Sequence, residues 1–328
     1  MNTSLSLSRR AVLTAAGLAL AAGGAFAQAP SPAWPTKPVR LVVNFPPGGP
    51  LDILARAMGE SLQKQLGQPF VVENKPGAGG NIGADAGAKA AADGHTVLFT
   101  IDSTVTVNPH IYKSMAFSPS DLKPVMIMSS SGLLVGVHPQ TGFKTMNDLV
   151  QGAKAKTVNF SSAGPGSPGH LAAAMATDAT GMKINHIPYK GNAPAVTAVL
   201  SGEVDGGVLA TPGMLPHVKA GKVTPLAVTS RQRSALAPDI PTVGQAGLPQ
   251  LEQEVLYMAM VPAATPAPVV QALEKAMVET LNMPAMRERL KALDMHAEGQ
   301  TGAEAAKRLS DLRERYGKVI TATGMKVE

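Results

Sequence analysis

The 328-residue sequence contains no cysteine. Disulfide bridges, thiolate metal sites and a lipid-bearing cysteine behind an export signal are thereby excluded. The seven histidines, at 95, 110, 138, 170, 186, 217 and 296, form no HExxH pattern, so neither a metal nor another cofactor is expected. Aromatic residues are scarce, at 4%, and the lysines and arginines are scattered. A nucleic-acid surface requires a concentrated basic stripe, so nucleic acid is not an expected partner. Past the first 27 residues no apolar run reaches membrane-spanning length.

What is present begins with Arg9-Arg10 and an apolar run, Ala11–Ala27, that closes on Ala25-Phe26-Ala27. A charged start, a short apolar stretch and an A-x-A end make a cleaved export signal over residues 1–27. Ser8-Arg9-Arg10 also fits a twin-arginine signal, the alternative being an ordinary secretory one. Cleavage after Ala27 would leave 328 − 27 = 301 residues, enough for two lobes. The expectation is a soluble periplasmic protein, not membrane-anchored. The formal charge of +6 becomes 27 − 23 = +4 without Arg9 and Arg10, a mild positive balance that suits an anionic small ligand.

After a Pro/Ala/Ser/Lys lead-in at 28–38, β-branched runs alternate with amphipathic patterns. Residues 39–45, 70–73, 96–101, 125–128, 133–137, 158–161, 184–188, 207–210, 226–229 and 255–261 read as strands. Residues 52–66, 80–92, 146–154, a stretch from about 169, 193–201, 215–220, 268–282, 286–293 and 303–323 read as helices. This alternation predicts an α/β fold with parallel strands and helices on both sheet faces. The rhythm runs twice, over 39–125 and 133–230, as two lobes joined by crossing strands would require.

In such sheets ligands sit beyond the carboxyl ends of strands, where helices begin. Five loops fall at such ends. The first is Pro46-Pro47-Gly48-Gly49-Pro50, with Pro50 suited to the first helical position and Asp52 in the first turn. Gly48 and Gly49 allow close backbone approach, and free N–H groups at a helix start favour an anion. No Lys-Ser/Thr pair follows to hold a nucleotide phosphate; a plain strand-to-helix turn is the alternative. The second loop, Ser161–His170, contains Ala163, Gly164, Gly166, Ser167 and His170 and again precedes a helix. The others are Asp102-Ser103-Thr104-Val105, Pro188-Tyr189-Lys190-Gly191 and Ala210-Thr211-Pro212-Gly213.

Two enzyme readings compete. Ser167 with His170 suggests a hydrolase, but a nucleophile elbow needs glycine two residues before the serine, where Pro165 stands. Gly77–Gly83, with Asp102 about 20 residues on, resembles a dinucleotide fingerprint, but Ile82 stands where its third glycine belongs.

The words Trp34-Pro35-x-Lys37-Pro38, FPPGG with Asp52, VVENKPGAGGNIGA at Val71–Ala84, SAGPGSPGHL at Ser162–Leu171, PYKGNAPA at Pro188–Ala195, LPHVKAGK at Leu215–Lys222 and PDIPTVGQAGLP at Pro238–Pro249 occur in order along the chain. Together they resemble the Bug-type extracytoplasmic solute receptors of tripartite tricarboxylate transporters. The resemblance implies a two-lobed periplasmic binding fold of type II, with a mixed sheet flanked by helices in each lobe. It places lobe 1 at 28–130 plus 255–328, lobe 2 at 131–254, and the crossings near Ser129–Val137 and Glu254–Val261. It implies no catalysis, a monomer, and two membrane subunits of a secondary transporter as partners; a signalling receptor is the alternative role.

The family holds a ligand carboxylate through the first loop and the SAGxGS/T loop, partly by way of water. That implies Pro47, Gly48, Gly49, Ala163, Gly164, Gly166, Ser167 and His170 around one carboxylate; the strand-end loops add Asp52, Ser103, Thr104, Tyr189, Ala210 and Thr211 as expected site residues, with Leu209 beside them. Relatives often carry a small or hydroxyl residue at Pro50, Ser or Thr at Leu51, Asp at Leu209 in amino-acid binders, and an aromatic near Leu256. These departures favour a carboxylic acid without an amine, a dicarboxylate or an aromatic carboxylate.

Overall fold

The computed structural model describes residues Trp34–Val327. The expected export signal at 1–27 lies outside the described residues. From Lys37 onward the chain forms one compact unit carrying two β-sheets.

The chain runs β1 (Val39–Val43), α1 (Pro50–Leu66), β2 (Phe70–Asn74), α2 (Asn81–Ala88), β3 (Thr96–Ile101), the short helices α3 (Ser103–Thr106) and α4 (Asn108–Ile111), and β4 (Leu122–Ser131). It continues through β5 (Leu133–Val137), α5 (Met146–Ala155), β6 (Val158–Ser162), α6 (Pro168–Thr180), β7 (Ile184–Pro188), α7 (Asn192–Ser201), β8 (Gly206–Ala210), α8 (Thr211–Lys219) and β9 (Thr224–Val228). It ends with β10 (Val255–Pro262), α9 (Ala267–Leu281), α10 (Pro284–Ala292), β11 (His296–Thr301) and α11 (Gly302–Thr323).

The first sheet has the order β11-β4-β10-β3-β1-β2 and the second β7-β6-β8-β5-β9. Both are mixed. β1 pairs in parallel with β2 and β3, whereas β10 is antiparallel to β3 and β4. β6 is parallel to β7 and β8, whereas β5 is antiparallel to β8 and β9. Every residue of β3 is buried, as expected where helices cover both faces of a sheet.

Each sheet has its own core. The first includes Val42, Leu98, Val105, Ile127, Leu256 and Met258; the second includes Leu134, Val196, Val199, Leu209, Met214 and Val228. α1 shows how sequence dictates packing. Leu51, Leu54, Ala55, Met58 and Leu62 recur at helical spacing and are buried. Each fully buried Leu or Met contributes roughly 1.5–3 kcal/mol. Gly59 lets this helix press close, since a Cβ there would lie 3.1 Å from Leu41 Cδ1 and 3.4 Å from the Phe70 carbonyl. The helix stops at Gly67, which takes the left-handed conformation at φ 70°.

The chain leaves the first sheet at Gly132, between β4 and β5, and returns ahead of Val255. The second crossing therefore precedes β10, which pairs along its whole length in the first sheet, rather than occupying Glu254–Val261 as expected. The two crossings touch. A Cβ on Gly132 would lie 2.9 Å from the Ser230 amide nitrogen. Thr229 Oγ1 accepts from Leu133 N–H at 2.9 Å and donates to the Gln253 carbonyl at 2.7 Å. Among the described residues no helix is long and apolar enough to cross a membrane.

Candidate functional site

The first wall grows from the end of β1. Asn44 is fully buried, and its Nδ2 donates to the Gly80 carbonyl, Thr100 Oγ1 and Thr104 Oγ1 at 3.1, 2.8 and 3.2 Å. This anchors the Gly77–Gly83 turn against Thr104. The turn is thereby a packed support, and Asp102 is buried with its carboxylate on the Leu256 N–H at 3.0 Å. No room remains there for a dinucleotide ribose. Burial pushes the Asp102 carboxyl up to about 6, against the lowering effect of that amide.

Beyond Asn44 the chain turns through exposed Pro46, Pro47 and Gly48 to Gly49, the N-cap of α1. Pro50 opens the helix as the sequence predicts. Asp52 behaves differently from expectation. Its buried carboxylate accepts from Gly48 N–H at 2.9 Å, Asn74 Nδ2 at 2.9 Å and Arg56 Nε at 3.0 Å. Burial raises its pKa, but the bonds to Arg56, Gly48 and Asn74 outweigh that and hold the group below the usual carboxylate range. Asp52 thus braces the loop, and the Gly48 amide is committed to it rather than open to an anion. Among the described residues the Gly49 amide carries no hydrogen bond.

The second wall grows from β6. Ser162 Oγ accepts from Gly164 N–H and from the Ser167 hydroxyl, each at 3.2 Å, and lies 2.6 Å from His186 Nε2. Ser167 is the N-cap of α6 and accepts from His170 N–H at 3.4 Å. His170 Nδ1 accepts from Gly166 N–H at 3.2 Å, and its ring stacks on His186 with centroids 3.8 Å apart. Burial lowers both imidazoles to about 4, with His170 adding to the shift of His186. Both rings are neutral at neutral pH. Ser167 and His170 form no nucleophile–base pair. The Ser162–His186 contact has the distance of one, but Ser162 is fully buried and inaccessible to an ester.

The two walls meet. A Cβ on Gly166 would lie 2.7 Å from Ile111 Cδ1 and 3.5 Å from Asn108 Oδ1, so glycine alone fits this contact at φ 73°. Asn108 in turn donates to the Gly79 carbonyl at 3.0 Å and to Asn81 Oδ1 at 2.7 Å. Gln253 Nε2, from the second crossing, donates to the Pro168 carbonyl at 3.1 Å. Ser103 and Thr104 are buried in the short α3. The Ala163 amide, like that of Gly49, carries no hydrogen bond among the described residues. Among the buried side-chain oxygens without a hydrogen-bond partner are Asn44 Oδ1, Asn108 Oδ1, Thr211 Oγ1 and Gln253 Oε1.

The remaining expected residues divide. Ala210 N–H donates to Asn192 Oδ1 at 3.0 Å, and Thr211 opens α8 beside it. Tyr189 turns its hydroxyl to Glu203 at 2.8 Å, while its ring packs on the second core. Leu209 is 1% exposed within that core, because alternate residues of β8 face opposite sides of the sheet. Sequence reasoning passed over Asn44, Asn108, His186 and Gln253, whose partners lie far along the chain. A separate cavity of about 600 Å³ lies against α11, lined in part by Ser130, Glu254, Glu298, Arg308 and Arg315. Its main charges are paired with one another, and none of the expected loop residues line it.

Residues 54–325 match the tripartite tricarboxylate transporter family receptor. Protein BugT of Bordetella pertussis is 32% identical over 321 residues, covering 97% of this chain and 98% of its own. A solved R. palustris protein with adipate superposes with a TM-score of 0.80 at 29% identity, over 89% of this chain and 99% of that one. MatC of Rhodopseudomonas palustris, solved with bound malate, gives 0.77 at 28% identity over 88% and 100%. The matched family is one of periplasmic solute receptors, which bind and do not catalyse. With its two mixed sheets, its paired crossings and a Gly/Pro loop leading into a helix in each half, the chain belongs to the tripartite tricarboxylate transporter receptor family.

Proposed function

We propose that this protein is a periplasmic receptor that captures a small carboxylate between residues 28–130 plus 255–328 and residues 131–254, and hands it to the two membrane subunits of a tripartite transporter. The observation that carries this reading is that two separate Gly/Pro loops each lead into a helix N-terminus and each retain, among the described residues, an unbonded amide, Gly49 in one and Ala163 in the other. Helix dipoles and bare amides at both points favour negative oxygen. The relatives solved with adipate and malate support the same ligand class.

The acid lacks an amine. Asp52 is occupied by Arg56, Asn74 and Gly48, and Asp102 by Leu256, so neither is open to an ammonium group. An unpaired buried ammonium would be strongly disfavoured. Dicarboxylates and aromatic carboxylates remain as the substrate class. Contacts from both lobes favour the closed form, which is what the membrane subunits read. The protein acts as a monomer.

Thermal unfolding with succinate, adipate, malate and terephthalate tests this. At least one acid raises the Tm in proportion to the logarithm of its concentration, and the corresponding amino acids, aspartate and glutamate, do not. A flat Tm across all four acids overturns the reading.

A further inference from the structure

The line His186–Ser162–Ser167 beneath the second loop has a direction fixed by counting protons. Ser162 Oγ is surrounded by Gly164 N–H at 3.2 Å, the Ser167 hydroxyl at 3.2 Å, the Gly164 carbonyl at 3.1 Å and His186 Nε2 at 2.6 Å. A serine oxygen offers two lone pairs and one proton. The amide and the Ser167 hydroxyl fill both lone pairs. One proton is left for two acceptors, and the shorter contact takes it, so Ser162 donates to His186 Nε2. A neutral imidazole that accepts at Nε2 carries its proton on Nδ1. His170 has the opposite tautomer, because its Nδ1 accepts from Gly166 N–H and its proton sits on Nε2. The stacked rings, 7° from parallel, keep each other in place.

In this arrangement Ser167 points its proton at Ser162. Toward the N-terminus of α6 it presents lone pairs, which repel an incoming carboxylate. The donor that site needs is therefore present but turned away.

We propose that His186 is a positioning residue that sets the direction of this relay, and that carboxylate capture reverses it. Resting on the receptor reading above, the sequence is as follows. Ser167 donates to the bound carboxylate and releases a lone pair of Ser162. His186 fills it as an Nε2–H donor, and the Ser162 proton turns to the Gly164 carbonyl. The imidazole gives its Nδ1 proton to water and takes one back from water at Nε2, so it stays neutral and no net proton is exchanged. Affinity then depends on a side chain that never touches the ligand.

Histidine-selective ¹⁵N labelling reads both tautomers. In the free protein we expect Nδ1–H for His186 and Nε2–H for His170. Saturation with whichever of succinate, adipate, malate and terephthalate binds moves His186 to Nε2–H and leaves His170 unchanged. His186→Phe keeps a ring stacked on His170, loses both nitrogens and weakens that acid about tenfold. His186→Gln, which offers both an acceptor and a donor, restores most of the loss. An Nε2–H His186 in the free protein, a tautomer unmoved at saturation, or wild-type affinity in His186→Phe each overturns the relay. Should His186→Phe fail to fold, the tautomer of the wild-type protein decides alone. If none of the four acids binds the wild type, the receptor reading falls and the relay with it; binding with an unmoved His186 overturns the relay only.

Discussion

Asp52 illustrates how a residue chosen for one role serves another. Near a helix start an acidic side chain complements the dipole, and here the same carboxylate gathers three donors from Gly48, Arg56 and Asn74. Substitution Asp52→Ala removes a buried acceptor and strands the donors facing it, a loss of about 2–3 kcal/mol. Urea unfolding of the variant reads that loss, and carboxylate affinity falls with it because the first loop loses its brace. The histidine pair acts over pH. Both rings have pKa values near 4 in the folded chain, below the ordinary 6.5. Between pH 6.5 and 4 the unfolded chain takes up protons that the folded one does not, so stability is complete above that window and falls through it. Each ring contributes up to about 1.4 kcal/mol per pH unit. Asp102, raised to about 6 by burial, works in the opposite sense over nearly the same range and offsets the share of one ring. The net effect is a decline, read as a lower urea midpoint at pH 4.5 than at pH 7, and His186→Phe flattens it.

At the scale of elements, α6 concentrates the candidate site. Ser167 caps it, Pro168 starts it, and Gly169 packs its first turn directly onto the Val208 carbonyl in the middle of β8. Gly169→Ala drives a methyl group into that carbonyl and displaces the turn, so both Tm and carboxylate affinity fall. Ser167→Ala loses the cap, worth about 1 kcal/mol, together with the donor to Ser162; its affinity loss exceeds its stability loss if the relay reaches the ligand. Titration calorimetry beside thermal unfolding separates the two. The elements that position this site were legible because their signals are local. The β-branched run before Phe45 and the apolar stripe of α1 stand in consecutive residues, and the Pro/Gly loops mark where strands become helices. β11 was not legible: HAEGQT offers no alternation, is only partly buried, and pairs with β4 across an irregularity between Ala297 and Gln300. α8 was expected to start at Leu215, yet begins at Thr211, because Pro212 suits a first turn and Pro216 is tolerated inside it. Within the site the glycines could be read, but Asn44, Asn108 and His186 could not. Their roles come from partners that only the fold brings close, such as Thr104 for Asn44 and Ser162 for His186.

On the scale of the whole molecule, one arginine on α11 ties together the two crossings about which the lobes would move. Arg308 Nη2 lies 3.0 Å from Glu254, just ahead of β10, and its Nη1 lies 2.8 Å from Glu298 on β11. Glu298 accepts from Ser130 at 2.6 Å, where β4 approaches the first crossing. Arg315, two turns along α11, donates to the Gln250 and Glu252 carbonyls at 3.1 Å. All three charged partners in the Arg308 network are a fifth exposed or less, so solvent screens them weakly. Removing the cation leaves two carboxylates facing each other, which is where the penalty of a broken buried pair arises. Arg308→Met is therefore expected to lose about 1–3 kcal/mol of stability and to loosen both crossings at once. Small-angle scattering of the free variant should show a larger radius of gyration than the wild type, and a saturating carboxylate should restore the wild-type value by pulling the lobes together. A single-crossing change such as Arg315→Met lowers Tm without that expansion, because the Arg308 bridge remains. Equal radii for free Arg308→Met and wild type would mean that the hinge is held by backbone contacts at Gly132 and Thr229 alone, and that the arginine serves stability without governing closure.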